Sequence, residues 1–162
     1  MSSPLILRIK ELDIETIPPS TAKMYNEGQG GAKIVVIGKP GTGKTTLISS
    51  LLYAKKHIFP IGLVMSGTED SNGYYKKIFP STFVYNKLEE EKIHSFIKRQ
   101  KISKQHLRNP WAVLLLDDCT DDPKLFNKPL FHSLYKNGRH WKMWYILSLQ
   151  SLTVTVTGEP IE

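Results

Sequence analysis

Two kinds of apolar pattern alternate along the chain. KIVVIG at 33–38, PIGLVMSG at 60–67, AVLLLD at 112–117 and KMWYILSLQ at 142–150 are nearly continuous apolar runs. Runs of this kind belong to strands covered on both faces. Between them the apolar residues recur at helical spacing. Leu47, Ile48, Leu51 and Leu52 predict a helix over 44–56, and SNGYYKKIF at 71–79 a short helix closed by Pro80. TFVY at 82–85 reads as a third, short strand, and a helix over 123–136 follows Asp122-Pro123. The strongest helix signals lie between 87 and 107. Asn86 as N-cap with Glu89 three residues on has the form of a capping box. Glu89, Glu90 and Glu91 stand at the start and Lys98, Arg99, Lys101 and Lys104 in the later turns, as the helix dipole favours, before Asn109-Pro110 ends the run.

Strands that alternate with helices, each apolar throughout, predict an α/β fold with a mostly parallel sheet covered on both faces. Ligands of such sheets bind at the carboxyl ends of the strands. The ends of 33–38, 112–117 and 142–149 are therefore expected on one edge. The compact domain is read as 33–162, and 1–32 as an N-terminal strand (LILRIK, 5–10) and a linker rich in proline and glycine.

GKPGTGKT at 38–45 fits G-x-x-x-x-G-K-[ST] in full, directly after a strand and before a helix. Glycines at this spacing let consecutive backbone N–H groups face a phosphate, and the helix N-terminus adds partial positive charge. Gly38, Lys39, Pro40, Gly41, Thr42, Gly43, Lys44, Thr45 and Thr46 are the candidate nucleotide-binding residues. Lys44 would reach the β- and γ-phosphates, and Thr45 would offer its hydroxyl to Mg²⁺. The expected fold is thus a three-layer P-loop NTPase, with ATP and Mg²⁺ as cofactors.

The run ending in Asp117-Asp118 has the form of a Walker B motif. Asp117 would complete the metal site from a strand expected beside the P-loop strand, and Asp118 would polarise the attacking water. A purely structural acid is the alternative for Asp117, and a cap of the following turn for Asp118. Asp121 and Asp122, ahead of a proline and a helix, read as N-caps. Gln150 closes the strand after these acids, where its amide would orient the water, or stand as a plain strand-end amide. Arg139 begins the same strand at its other end, out of reach of its own nucleotide but able to reach a neighbour's in a ring; a surface cation after a glycine turn is the alternative.

Composition narrows the class. The chain has 162 residues, enough for one cored domain, and 40% hydrophobic with 23% charged residues describes a folded globule. No apolar run approaches the ~18 residues of a membrane span, and the N-terminus lacks a signal-peptide pattern. The expected location is a reducing, intracellular compartment, without secretion. Cys119 is the only cysteine, which excludes disulfides within the chain, and the five histidines show no metal-ligand spacing. A net charge of +7 favours a polyanionic partner, and Lys98, Arg99, Lys101, Lys104 and Arg108 could touch DNA phosphates, although dipole complementarity explains them equally. NKLE at 86–89 approaches the guanine-specifying Asn-Lys-x-Asp of GTPases but opens a helix. The four arginines are scattered, against the arginine-rich lid of a small-molecule kinase, which is the runner-up beside an ATP-binding adaptor with little turnover.

GKPGTGKTTLI, MSGTEDSNGYY, LLLDDCTDDP and NGRHWKMWYILSLQ, in that order and spacing, closely resemble the genome-packaging ATPases of large nucleocytoplasmic DNA viruses. These are the poxvirus-type branch of the FtsK–HerA superfamily, and the resemblance covers about 33–150. It implies a homo-oligomeric ring that hydrolyses ATP to pump double-stranded DNA into a preformed capsid, with a capsid or portal component as partner. It also implies Lys44 and Thr45 on nucleotide and metal, Asp117 and Asp118 as the Walker B acids, Arg139 as a finger acting in trans and Gln150 as sensor. SGTED at 66–70 is expected in the site or at a subunit boundary, with loop capping as an equal alternative. After the glutamine, relatives continue through a proline-containing segment into further core strands. Here SLTVTVTGEPIE follows, so a fold truncated at its C-terminus, a split gene or a diverged version is expected, with TVTVT as a half-exposed strand.

Overall fold

The computed structural model describes residues 33–150, apart from 121. The expected strands at 5–10 and in TVTVT, the linker and the role of Asp121 lie outside the described residues. Five strands form one parallel sheet: β1 (Lys33–Ile37), β2 (Ile61–Ser66), β3 (Val84–Tyr85), β4 (Ala112–Asp117) and β5 (Met143–Leu149). Their order across the sheet is β1-β5-β4-β2-β3. Helix α1 (Lys44–Lys55) covers one face, where Ile48, Leu51 and Leu52 pack with Val64, Val113, Leu115, Trp144 and Ile146. Helices α3 (Glu90–His106) and α4 (Pro129–Asn137) cover the other, where Ile93, Phe96, Phe131 and Leu134 meet Leu63, Leu114, Leu116 and Tyr145. The three layers are those expected of the sequence.

One placement differs. β5, not β4, pairs with the P-loop strand, in the register Ile37↔Leu149, and β4 follows it, Asp117↔Ser148. β5, like β4, needs cover on both faces and takes an interior place. Met143, Trp144, Tyr145 and Ile146 are all buried and fill both layers, a demand an edge strand does not meet. Nor is β1 covered on both faces: Ile34 and Val36 pack inward, whereas Val35 and Ile37 are 46% and 45% exposed.

Local chemistry moves several helix boundaries. Asn86 does not cap α3, which starts at Glu90 after an extended Glu89; the Asn86 amide instead donates to the Asp70 carboxylate. The helix expected over 71–79 is divided by Gly73 at positive φ, leaving α2 (Glu69–Asn72) and a 3₁₀ turn at Tyr75–Lys77. Residues 81–83 form another 3₁₀ turn, which shortens β3 to Val84–Tyr85. The helix expected over 123–136 splits at Lys128, where Pro129 holds the preceding residue extended. Asp122 caps the 3₁₀ turn before that break by accepting from the Lys124 N–H, as expected of it.

Gln100 joins α3 to the sheet. Its fully buried amide donates to the carbonyls of Pro110 (2.8 Å), Trp141 (3.1 Å) and Lys142 (3.1 Å), at the loops entering β4 and β5. Replacing it with leucine removes the donor from the half-buried Pro110 and Trp141 carbonyls, and Gln100→Leu is expected to lower unfolding stability by about 1–3 kcal/mol. Urea unfolding followed by tryptophan fluorescence measures this as a lower midpoint at unchanged m-value.

Candidate nucleotide-binding site

β1, β5, β4 and β2 all finish at one edge, so the segments leaving them converge there. The loop after β1 turns into α1 at Gly43, whose φ of 87° is a backbone conformation side chains rarely adopt. No side chain caps this helix start, and its first turn has no acidic residue. Its N–H groups and the positive end of the dipole are therefore presented by an uncapped turn. Lys39, Pro40, Gly41, Thr42 and Gly43 are exposed around it, and Gly38 is fastened to the sheet by its N–H to the Leu149 carbonyl at 3.1 Å. The Thr42 hydroxyl is directed back to the Lys39 carbonyl at 2.8 Å, closing the turn. Thr45, half-buried in the first turn of α1, and exposed Thr46 lend their carbonyls to the hydroxyls of Ser49 and Ser50.

Lys44 folds over the loop. Its buried Nζ donates to the Gly38 carbonyl at 2.6 Å and lies 3.3 Å from Asp118 Oδ2. Asp118 reaches that position from the far side of β5 through a left-handed backbone, φ 43°, which aspartate tolerates better than most residues. The N–H of Asp118 donates to the Ser148 carbonyl, which fixes the kink to β5. Partial burial holds the Asp118 carboxyl above its ordinary range; Lys44 and a hydrogen bond from Gln150 pull it back down, while Asp117 pushes it up. The exposed Gln150 side chain thus meets the acid directly.

Asp117 is 4% exposed, and its Oδ2 accepts a hydrogen bond from the Tyr75 hydroxyl at 2.7 Å. Burial and the adjoining carboxylate drive the Tyr75 pKa upward, so this hydroxyl stays a donor. A carboxylate and the Thr45 hydroxyl are hard oxygen donors of the kind Mg²⁺ prefers, and they stand at the edge where a phosphate would sit, so the residues present fit that ion. Cys119, next in sequence, is buried and its thiol is pushed up to about 12, which makes it a packing residue without nucleophilic character.

The structure brings together Lys44, Asp118 and Gln150, with Asp117 beside them. It leaves Arg139 apart, exposed in the turn that precedes β5, at the opposite edge of the sheet. Within SGTED, Gly67 packs against the backbone of Asp118, and Glu69 caps the loop that follows, the alternative expected of this segment. A Cβ at Gly67 would stand 2.2 Å from the Asp118 carbonyl, so only glycine lets the strand end approach this closely. Glu69 is buried and accepts the N–H groups of Tyr75 and Lys76, each at 3.0 Å. Sequence reasoning missed Tyr75. The available signal was a polar-tipped aromatic in a short segment after a strand, too common to single out.

Relatives of this chain come from viruses. It is 55% identical over 145 residues to the uncharacterized protein 075L of Invertebrate iridescent virus 6, covering 85% of this chain and 56% of that protein. It is 45% identical over 144 residues to the uncharacterized protein 088R of Invertebrate iridescent virus 3, covering 89% and 55%. The chain therefore spans about half the length of these curated relatives. Among solved structures it is similar to the genome packaging NTPase B204 of Sulfolobus turreted icosahedral virus 2 in complex with ATP-gammaS. That similarity has a TM-score of 0.47 at 18% identity, over 75% of this chain and 65% of the other. The family model described as Poxvirus A32 protein matches residues 28–158, and the chain belongs to that family.

Proposed function

We propose that this chain carries the ATP-hydrolysing site of a motor that translocates double-stranded viral DNA into preformed capsids during virion assembly. The observation that carries the reading is the approach of Lys44 to Asp118 at 3.3 Å, a P-loop lysine facing a strand-end acid across β5. The resemblance of four separate sequence blocks to packaging ATPases, and the family, extend that site to a packaging role.

Residues 38–46 bind the triphosphate, through backbone N–H groups at the start of α1 and through Lys44. Phosphate oxygens draw the Lys44 ammonium away from Asp118, which leaves that carboxylate free to accept a proton from water. Its raised pKa suits a base better than an ordinary aspartate would. Gln150, bonded to the same acid, orients the water. Thr45 and Asp117 would hold Mg²⁺, which would supply positive charge to offset that of the phosphates. Arg139 serves the neighbouring subunit's nucleotide in a homo-oligomeric ring. Exposed Lys98, Lys101, Lys104 and Arg108 supply contacts to DNA phosphates, with a capsid or portal component as the further partner. Among the described residues no helix is long and apolar enough to cross a membrane. The work is placed at the viral assembly site in the host cytoplasm or in the virion.

Three measurements test this. Lys44→Ala is expected to abolish binding of a fluorescent ATP analogue, whereas Asp118→Asn keeps binding and slows phosphate release by about 10²–10⁴-fold. Duplex DNA at low salt is expected to raise the ATPase rate; a rate indifferent to DNA contradicts the motor, and transfer of phosphate to a small acceptor establishes a kinase instead. Mixing Arg139→Ala with Lys44→Ala protein should restore activity that neither shows alone, and no rescue at any ratio removes Arg139 from the neighbour's site.

A further inference from the structure

We infer that Tyr75 is a positioning residue for the metal-binding carboxylate, a role that rests on the reading of Asp117 as a Mg²⁺ ligand. Its hydroxyl donates to Asp117 Oδ2 at 2.7 Å, with both side chains buried. A hydrogen bond from a neutral donor to a buried carboxylate is short and strong, and it fixes the rotation of the carboxyl group. With Oδ2 committed to Tyr75, Oδ1 is the oxygen left to take a cation.

The donor is itself held from several directions. Glu69, 1% exposed, accepts the N–H of Tyr75 through Oε2 and that of Lys76 through Oε1, each at 3.0 Å. The preceding Tyr74 packs edge-on against the Tyr75 ring, centroids 5.3 Å apart, and its hydroxyl bonds Ser49 of α1 at 2.8 Å. The two tyrosines thus run from the helix that follows the phosphate loop to the acid at the end of β4. A buried glutamate spent on two backbone N–H groups, to seat one tyrosine, is more order than packing alone requires. Groups that orient a metal ligand typically contribute about 10–100-fold to metal affinity.

The test is a Mn²⁺ titration of the full chain in the presence of a fluorescent ATP analogue, with Tyr75→Phe, Glu69→Gln and Asp117→Asn compared with the parent. Tyr75→Phe is expected to bind the metal-free nucleotide as the parent does and to need about 10–100-fold more Mn²⁺ at the midpoint. Glu69→Gln, which keeps the hydroxyl but loosens its seat, should shift the midpoint in the same direction by less, and it decides the matter if Tyr75→Phe does not fold. Asp117→Asn should shift it at least as far. If Asp117→Asn shifts the midpoint while the Tyr75 and Glu69 variants do not, or tighten it, the positioning role is overturned and the metal site stands. A midpoint unmoved by Asp117→Asn removes the metal reading and the positioning role with it. Equal weakening with and without Mn²⁺ makes Tyr75 a packing residue.

Discussion

Parallel pairing of β1, β5, β4 and β2 is the constraint on which everything else depends. Strands that all run one way must end at one edge, and each must be followed by a crossover that carries the chain back. That edge collects the turn around Lys44, the acids after β4, the amide after β5 and the SGTED segment after β2. The register is what makes them neighbours: Ile37 is level with Leu149, and Asp117 with Ser148 and Ser66. A residue or two beyond those levels, every chain turns toward the same space.

The converging groups are mostly ones that a hydrophobic core would exclude. Asp117, Glu69 and Lys44 are buried, and each is matched to donors or acceptors. Tyr75 serves Asp117, two backbone N–H groups serve Glu69, and Lys44 divides itself between the Gly38 carbonyl and Asp118. Buried charge is tolerable only under such pairing. The positive φ of Asp118 belongs to the same bargain, since strain at a site persists when its surroundings over-determine it. Here the N–H of Asp118 is held by β5 and its carboxylate by Lys44 and Gln150.

Much of this was legible in the sequence because it is local or periodic. The P-loop is contiguous, the strands announce themselves as apolar runs, and the layers follow from alternation of strand and helix. Strand order was not legible. Nothing in KIVVIG or AVLLLD states which strand lies between them, since both β4 and β5 are apolar enough for an interior place. Helix starts failed where a side chain found a tertiary partner: Asn86 matches a cap until Asp70 arrives from another loop. The Tyr75–Asp117 bond joins residues 42 apart, beyond any pattern read along the chain. The site's contiguous half was visible, and its long-range half needed the fold.

β5 has one geometric property whose effect is mechanical. It extends over seven residues, Met143–Leu149, about 23 Å at the usual rise of a parallel strand, with Arg139 before it and Gln150 after it. The Met143 and Lys142 N–H groups bind the carbonyls of Gly138 and Arg139, which keeps the arginine close to the strand's beginning. No side chain bridges that length. One molecule therefore holds the arginine and the glutamine as opposite tips of a stiff strut, and a push on one end is carried to the other without bending.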